Sequence, residues 1–235
     1  MDVQEVMAQL QGYGSESIKK ILLKHGIKEP FFGVKVEHLK IIQKQTKTDY
    51  PLAKDLFATG NTDAMYLAGL ITDDAKMTKD DLQTWVKQAV SNNISEYIVP
   101  WVAAGSRYGF ELALDWIESE EEYITAAGWS TLSNLVALKP DAELDIPALK
   151  QLLERAGQNI HSAANRVKYT MNGFIISVGN YVSTLTDDAI AIAKKNGVVM
   201  VDMNGTACKV PDAFENIAKM QAKGQIGKKK KTVKC

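Results

Sequence analysis

Cysteine, histidine and arginine are all scarce in this chain of 235 residues, and each scarcity closes a class of chemistry. Two cysteines, Cys208 and Cys235, cannot build a disulfide framework, and neither has a partner at CxxC spacing. His25, His38 and His161 stand far apart with no HExxH pair, so no metal site is expected. Neither GxxxxGKS/T nor GxGxxG occurs, and Gly224 to Lys228 lacks the strand before it and the Ser or Thr after it that a phosphate loop needs. No nucleotide or other cofactor is therefore expected, and without a GxSxG elbow no hydrolase triad can be drawn. No apolar run approaches the ~18 residues of a membrane span. The opening residues also lack the basic region and apolar stretch of a secretory leader, so the expected address is cytoplasmic with no membrane partner.

Only three of the 28 basic residues are arginines: Arg107, Arg155 and Arg166. Arginine is the usual planar fork for base edges and phosphates, so sequence-specific DNA reading is not expected, while lysine-to-phosphate attraction remains open. The formal net charge of zero conceals an asymmetry. Residues 216–235 carry seven lysines and no acid, which leaves −7 on the rest: an acidic body with a basic tail.

Helical periodicity dominates up to about residue 196. Ile18, Ile21 and Leu22 share a face that stops at Gly26, and Val36, Leu39 and Ile42 follow at i, i+3, i+6. Asn61 caps a run through Ile71, and Thr78-Lys79-Asp80-Asp81 opens the next. Further helical segments are expected over 94–104, 108–117, 121–138, 146–156, 163–182, 187–195 and 211–221. Apart from the β-branched stretch 198–201, period-2 alternation is missing, so the class is all-α. Short amphipathic helices with tight polar connections suit a superhelical solenoid of stacked antiparallel pairs better than one central core, with a globular helical bundle as the alternative. The expected organisation is a helical repeat domain over 1–196, a C-terminal extension packed on it over 197–223, and a mobile basic tail over 224–235, where Lys228, Lys229, Lys230 and Lys231 repel one another.

One cluster of acids and one isolated acid call for a functional and a structural reading. Glu111, Asp115 and Glu118 fall along one helical stripe and read best as a solvated face. In Asn92-Asn93-Ile94-Ser95-Glu96, a helix starting after Asn93 makes Glu96 the N3 residue of a capping box. Alternatively, Glu96 projects from that helix start into a concave face, where its carboxylate stabilises developing positive charge on a sugar.

Phe31-Phe32-Gly33-Val34, Leu39-Lys40-Ile41, Tyr97-Ile98-Val99-Pro100, Thr125-Ala126-Ala127 and Asn172-Gly173-Phe174 resemble, in pattern and order, landmarks of the AlkD-like DNA alkylation repair proteins. The resemblance covers about residues 15–195. It implies a solenoid of HEAT-like helix pairs (the ARM/HEAT architecture) whose best-known members are alkylpurine DNA glycosylases. The closing stretch from Val201 to Cys235 looks like a C-terminal extension found in a bacterial branch of these proteins.

Active members carry Trp-x-x-x-Asp ahead of Ile-Val-Pro, an Arg before the Ala-Ala pair, and a later Trp. Here Asn92 stands at the first Trp, Glu96 at the Asp, Thr125 at the Arg and Phe174 at the second Trp. The resemblance thus implies Glu96 as the catalytic carboxylate and Asn92, Thr125 and Phe174 as DNA contacts, while Lys168, expected in the same helical region as Phe174, and Lys228, Lys229, Lys230 and Lys231 of the tail are expected to add phosphate contacts by their charge. Four departures imply weakened or lost excision, since losing one preorganised electrostatic partner costs about 3 to 4 kcal/mol. The partner implied is double-stranded DNA, alkylated DNA included, held on a concave surface. The competing expectation is a non-catalytic helical scaffold that binds a protein or structured nucleic acid on the same face.

Overall fold

A computed structural model describes all of residues 1–235, and every regular element in it is helical. The α-helices in chain order are α1 (Val3–Gly12), α2 (Glu16–Lys24), α3 (Val36–Thr46), α4 (Tyr50–Ala58), α5 (Thr62–Ile71) and α6 (Lys79–Gln88). They continue as α7 (Val99–Gly105), α8 (Gly109–Trp116), α9 (Glu122–Leu138), α10 (Ile146–Asn159), α11 (Asn165–Tyr181), α12 (Thr186–Asn196) and α13 (Ala213–Ala222). No helix is long and apolar enough to cross a membrane. The β-branched stretch 198–201 forms no strand, because no second strand exists to pair with it.

Local chemistry starts these helices where the sequence places caps. The Asn61 side chain accepts the backbone N–H groups of Asp63 and Ala64, and Thr78 with Asp81 closes a reciprocal capping box. Asp49 and Asp145 cap helices whose first turn contains a proline, a residue that gives up no useful N–H there.

From α3 onward the odd-numbered helices pack successively on one another and the even-numbered helices back them. Two layers result, and the apolar interior divides along the stack. One cluster centres on Phe57 stacked against Trp85, with ring centroids 4.0 Å apart. The second centres on Trp129 and Phe174, 5.3 Å apart and tilted. Each such aromatic contributes about 2 to 3 kcal/mol by burial. Two successive cores, with neighbours contacting neighbours, are the signature of a solenoid.

The acidic stripe runs along α8 and just past its end, and two of its three members are partnered: Glu111 pairs with Lys79, and Glu118 with Arg155. Residues 224–235, expected to be mobile, instead lie against the body. Lys229 Nζ donates to the carbonyls of Val136 (2.8 Å) and Tyr181 (2.7 Å), in the last turns of α9 and α11, and pairs with Asp141 at 2.7 Å. Lys234 reaches Asp74 at 2.7 Å, and Val233 packs on the first core cluster. Helix C-termini carry partial negative charge and carbonyls without partners, which outweighs the mutual repulsion of the lysines.

Candidate nucleic-acid interface

The site begins with a proline. An α-helical ladder would have the carbonyl of residue 96 accept from the N–H of residue 100, but Pro100 has no N–H. The ladder widens by one residue over Ile94–Ile98, and Val99 N–H reaches back five positions to the Ile94 carbonyl. Such π turns recur at functional sites. Glu96 sits inside this one, with its side chain only 1% exposed.

Its carboxylate does not cap the helix, and the Asn93 side chain makes no cap bond, so the capping-box expectation is corrected. Both Glu96 oxygens instead accept from Arg166 near the start of α11: Nε to Oε1 and Nη2 to Oε2, each at 2.6 Å. Burial pushes the Glu96 carboxyl above its ordinary value, against the bonds and charge of Arg166, and repulsion from Glu122 adds to it. Arg166 is held above its own ordinary value, since the bonds and charge of Glu96 outweigh its burial. The guanidinium lies over the Tyr169 ring at 4.5 Å, and its backbone N–H donates to Glu122 Oε1 at 2.7 Å. A bidentate, stacked arginine of this kind fixes orientation as well as charge.

Two clefts flank the pair. The larger, about 410 Å³, lies between the end of α2, the π turn and the 203–209 loop, and Asn92, Glu96, Arg166, Cys208 and Lys209 are among its walls. Loop and wall are stitched together: Asn165 exchanges two hydrogen bonds with the Asp202 backbone, and Met203 Sδ accepts from Arg166 Nη1. The smaller, about 190 Å³, lies between the π turn, α9 and α11 and shares Glu96, Tyr97 and Tyr169 with the first.

The structure brings Asn92 and Glu96 together at the larger cleft. It places Thr125 in the first turn of α9, where the hydroxyl donates to the Ser119 and Glu121 carbonyls, and neither Thr125 nor Lys168 lines a cleft. Phe174 is fully buried against Trp129, so it offers no face to DNA, which corrects that expectation. Lys229 is consumed by helix ends, whereas Lys228, Lys230 and Lys231 stay exposed beside them. Arg166 is the residue that sequence reasoning passed over. It reaches Glu96 from another helix, and its one sequence signal is rarity among the basic residues.

The model of a family described as DNA alkylation repair enzyme matches residues 6–216, nearly the whole helical stack. The chain belongs to that family. Two relatives are uncharacterized proteins of Listeria innocua, 34% identical, and Listeria monocytogenes, 33% identical, each aligned over 90% of this chain and 93% of the relative. A solved structure, from a family described as related to the HEAT-like repeat DNA glycosylases with affinity for branched DNA structures, superposes with a TM-score of 0.91 at 35% identity. It covers 100% of both chains. The fold of that solved structure is thus shared from end to end, including the extension that carries Met203 and the tail that carries Lys229.

Proposed function

We propose that this protein binds branched DNA by shape and backbone contact on the face bearing the two clefts, without efficient excision of alkylated bases. The observation that carries the reading is the state of Glu96. A carboxylate that stabilises an oxocarbenium ion or positions water must face the sugar with at least one free oxygen. Both oxygens of Glu96 are taken by Arg166, and the side chain is 1% exposed. Breaking that pair to free the carboxylate leaves a buried charge uncompensated, at a cost of about 3 to 5 kcal/mol, comparable to the whole contribution of one preorganised electrostatic group.

DNA binding is supported by the family and by the solved relative's described affinity for branched DNA. Exposed lysines that form no ion pair, Lys209 at the larger cleft and Lys228, Lys230 and Lys231 at the helix ends, offer backbone contacts that need no base sequence. The test is a pair of assays on one preparation. Mobility shifts should show tighter binding to a four-way junction than to linear duplex of equal length. Release of 7-methylguanine from methylated duplex should stay at the uncatalysed level. Release that is robust in the native chain and lost in Glu96→Gln would restore the glycosylase reading.

A further inference from the structure

We propose that the smaller cleft, between the π turn, α9 and α11, is a pocket for one unpaired nucleobase. This deepens the branched-DNA reading and rests on it. At about 190 Å³ the cleft falls below the roughly 300–1,000 Å³ of sites that hold larger ligands, so it admits a single planar ring system.

The walls match the two surfaces of such a ring. Tyr97, Trp101 and Tyr169 supply aromatic faces. The same walls carry Ser130 and Asn134, one turn apart on α9, and Ser177 on α11. None of these three side chains is engaged in a hydrogen bond within the protein, although the neighbouring Ser133, Thr170 and Asn172 all are. Two hydroxyls and a carboxamide, which both donate and accept, therefore face the cavity free to meet a ligand.

Charge narrows the class further. The one ionisable acid in the wall, Glu96, is already neutralised by Arg166, and no lysine or arginine lines the cavity. Neither an anion nor a cation is selected. A neutral planar ring with a donor and acceptor edge is, and that describes a base outside the stack. Duplex DNA does not present one, whereas a branch point with unpaired nucleotides does.

Gly173 provides the means of testing this. It lines the cleft within α11, and a Cβ at that position meets no atom within 4 Å, so a larger side chain there occupies the pocket without disturbing the core. The probe is a three-way junction with one unpaired nucleotide at the branch, compared with the same junction carrying an abasic site at that nucleotide. Wild type should bind the base-containing junction about tenfold more tightly. Gly173→Phe should erase that difference while still binding the abasic junction as wild type does, and Gly173→Ala should keep it. Asn134→Ala, which removes a polar group without adding bulk, should reduce the preference severalfold, and it serves if Gly173→Phe melts early. Equal affinity of wild type for both junctions, or a preference that survives Gly173→Phe in a folded protein, overturns the pocket and leaves junction binding standing. Failure of wild type to prefer any junction over linear duplex removes the branched-DNA reading and the pocket with it.

Discussion

Arg166 and Glu96, 70 positions apart in sequence, meet through two hydrogen bonds of 2.6 Å and tie α11 to the π turn. The pair is a structural joint as much as a feature of the site. Removing one member strands the other, so Arg166→Ala and Glu96→Ala should each lower unfolding stability by about 3 to 5 kcal/mol. Replacing both with apolar residues, Glu96→Leu with Arg166→Met, should cost less than either single change, because no buried charge is left. Urea melts of the three variants check this, and a double variant weaker than both singles would deny that the two charges are coupled.

A second joint fixes the loop between α2 and α3. The Asp63 carboxylate in the first turn of α5 accepts the backbone N–H groups of Phe32 (2.7 Å), Gly33 (3.0 Å) and Val34 (3.3 Å). Converging three N–H groups on one carboxylate needs a left-handed residue, and Gly33 has φ of +80°. Its Cβ would lie 2.6 Å from the Ser15 carbonyl oxygen. Asp63→Ala should therefore cost about 2 to 4 kcal/mol, and Gly33→Ala at least 1 to 2 kcal/mol through strain and collision. Both are read as shifts in denaturant midpoint at unchanged slope.

Acid sensitivity should concentrate at Asp81. Burial raises its carboxyl, but hydrogen bonds from Tyr50, Lys54 and Thr78 overcome that and hold it well below the ordinary aspartate range. A depressed native value means that the unfolded chain binds more protons at low pH. The stabilisation is then complete above about pH 5, where an unfolded aspartate is ionised, and fades as pH falls below about 4 toward the native value. Asp81→Asn should be less stable than wild type at pH 7, and the gap should close in acid. A gap that stays constant from pH 7 to pH 3 would falsify this assignment.

Much of the helical order was legible because it is written locally. Asn61, Thr78 with Asp81, and the apolar spacing of the later helices act within a turn or two of themselves. Two helices escaped: α1, whose buried contribution is only Val6 and Leu10, and α4, where Tyr50-Pro51 reads as a breaker although Asp49 caps Leu52. Glu96 was legible as a candidate, but its state was not, since its partner lies on another helix and no local pattern couples positions 96 and 166. Phe174 shows the opposite limit. In an apolar helix such as α11, spacing alone does not say which aromatic faces Trp129 and which faces a ligand.

The tail yields the last prediction, because its lysines divide into two kinds. Lys229 and Lys234 are bound internally, to the Val136 and Tyr181 carbonyls with Asp141, and to Asp74. Lys228, Lys230 and Lys231 are exposed and form no ion pair, although Lys230 also lies 5.6 Å from the centre of the Tyr181 ring. Only the exposed three are available to phosphate, and each released counterion contributes about −0.9 to the slope of log K against log salt. Changing all three to Ala should therefore flatten the slope of junction binding by up to about 3, with stability unchanged, because none of them holds the fold. Lys229→Ala should do the reverse. It should cost about 2 kcal/mol by leaving two helix-end carbonyls and Asp141 without their cation, and leave the salt slope near that of wild type at temperatures where the fold persists. Fluorescence anisotropy across several salt concentrations, paired with urea melts, separates the two effects. If the triple variant loses stability, or if Lys229→Ala flattens the slope while folded, the division between anchoring and phosphate-facing lysines is wrong.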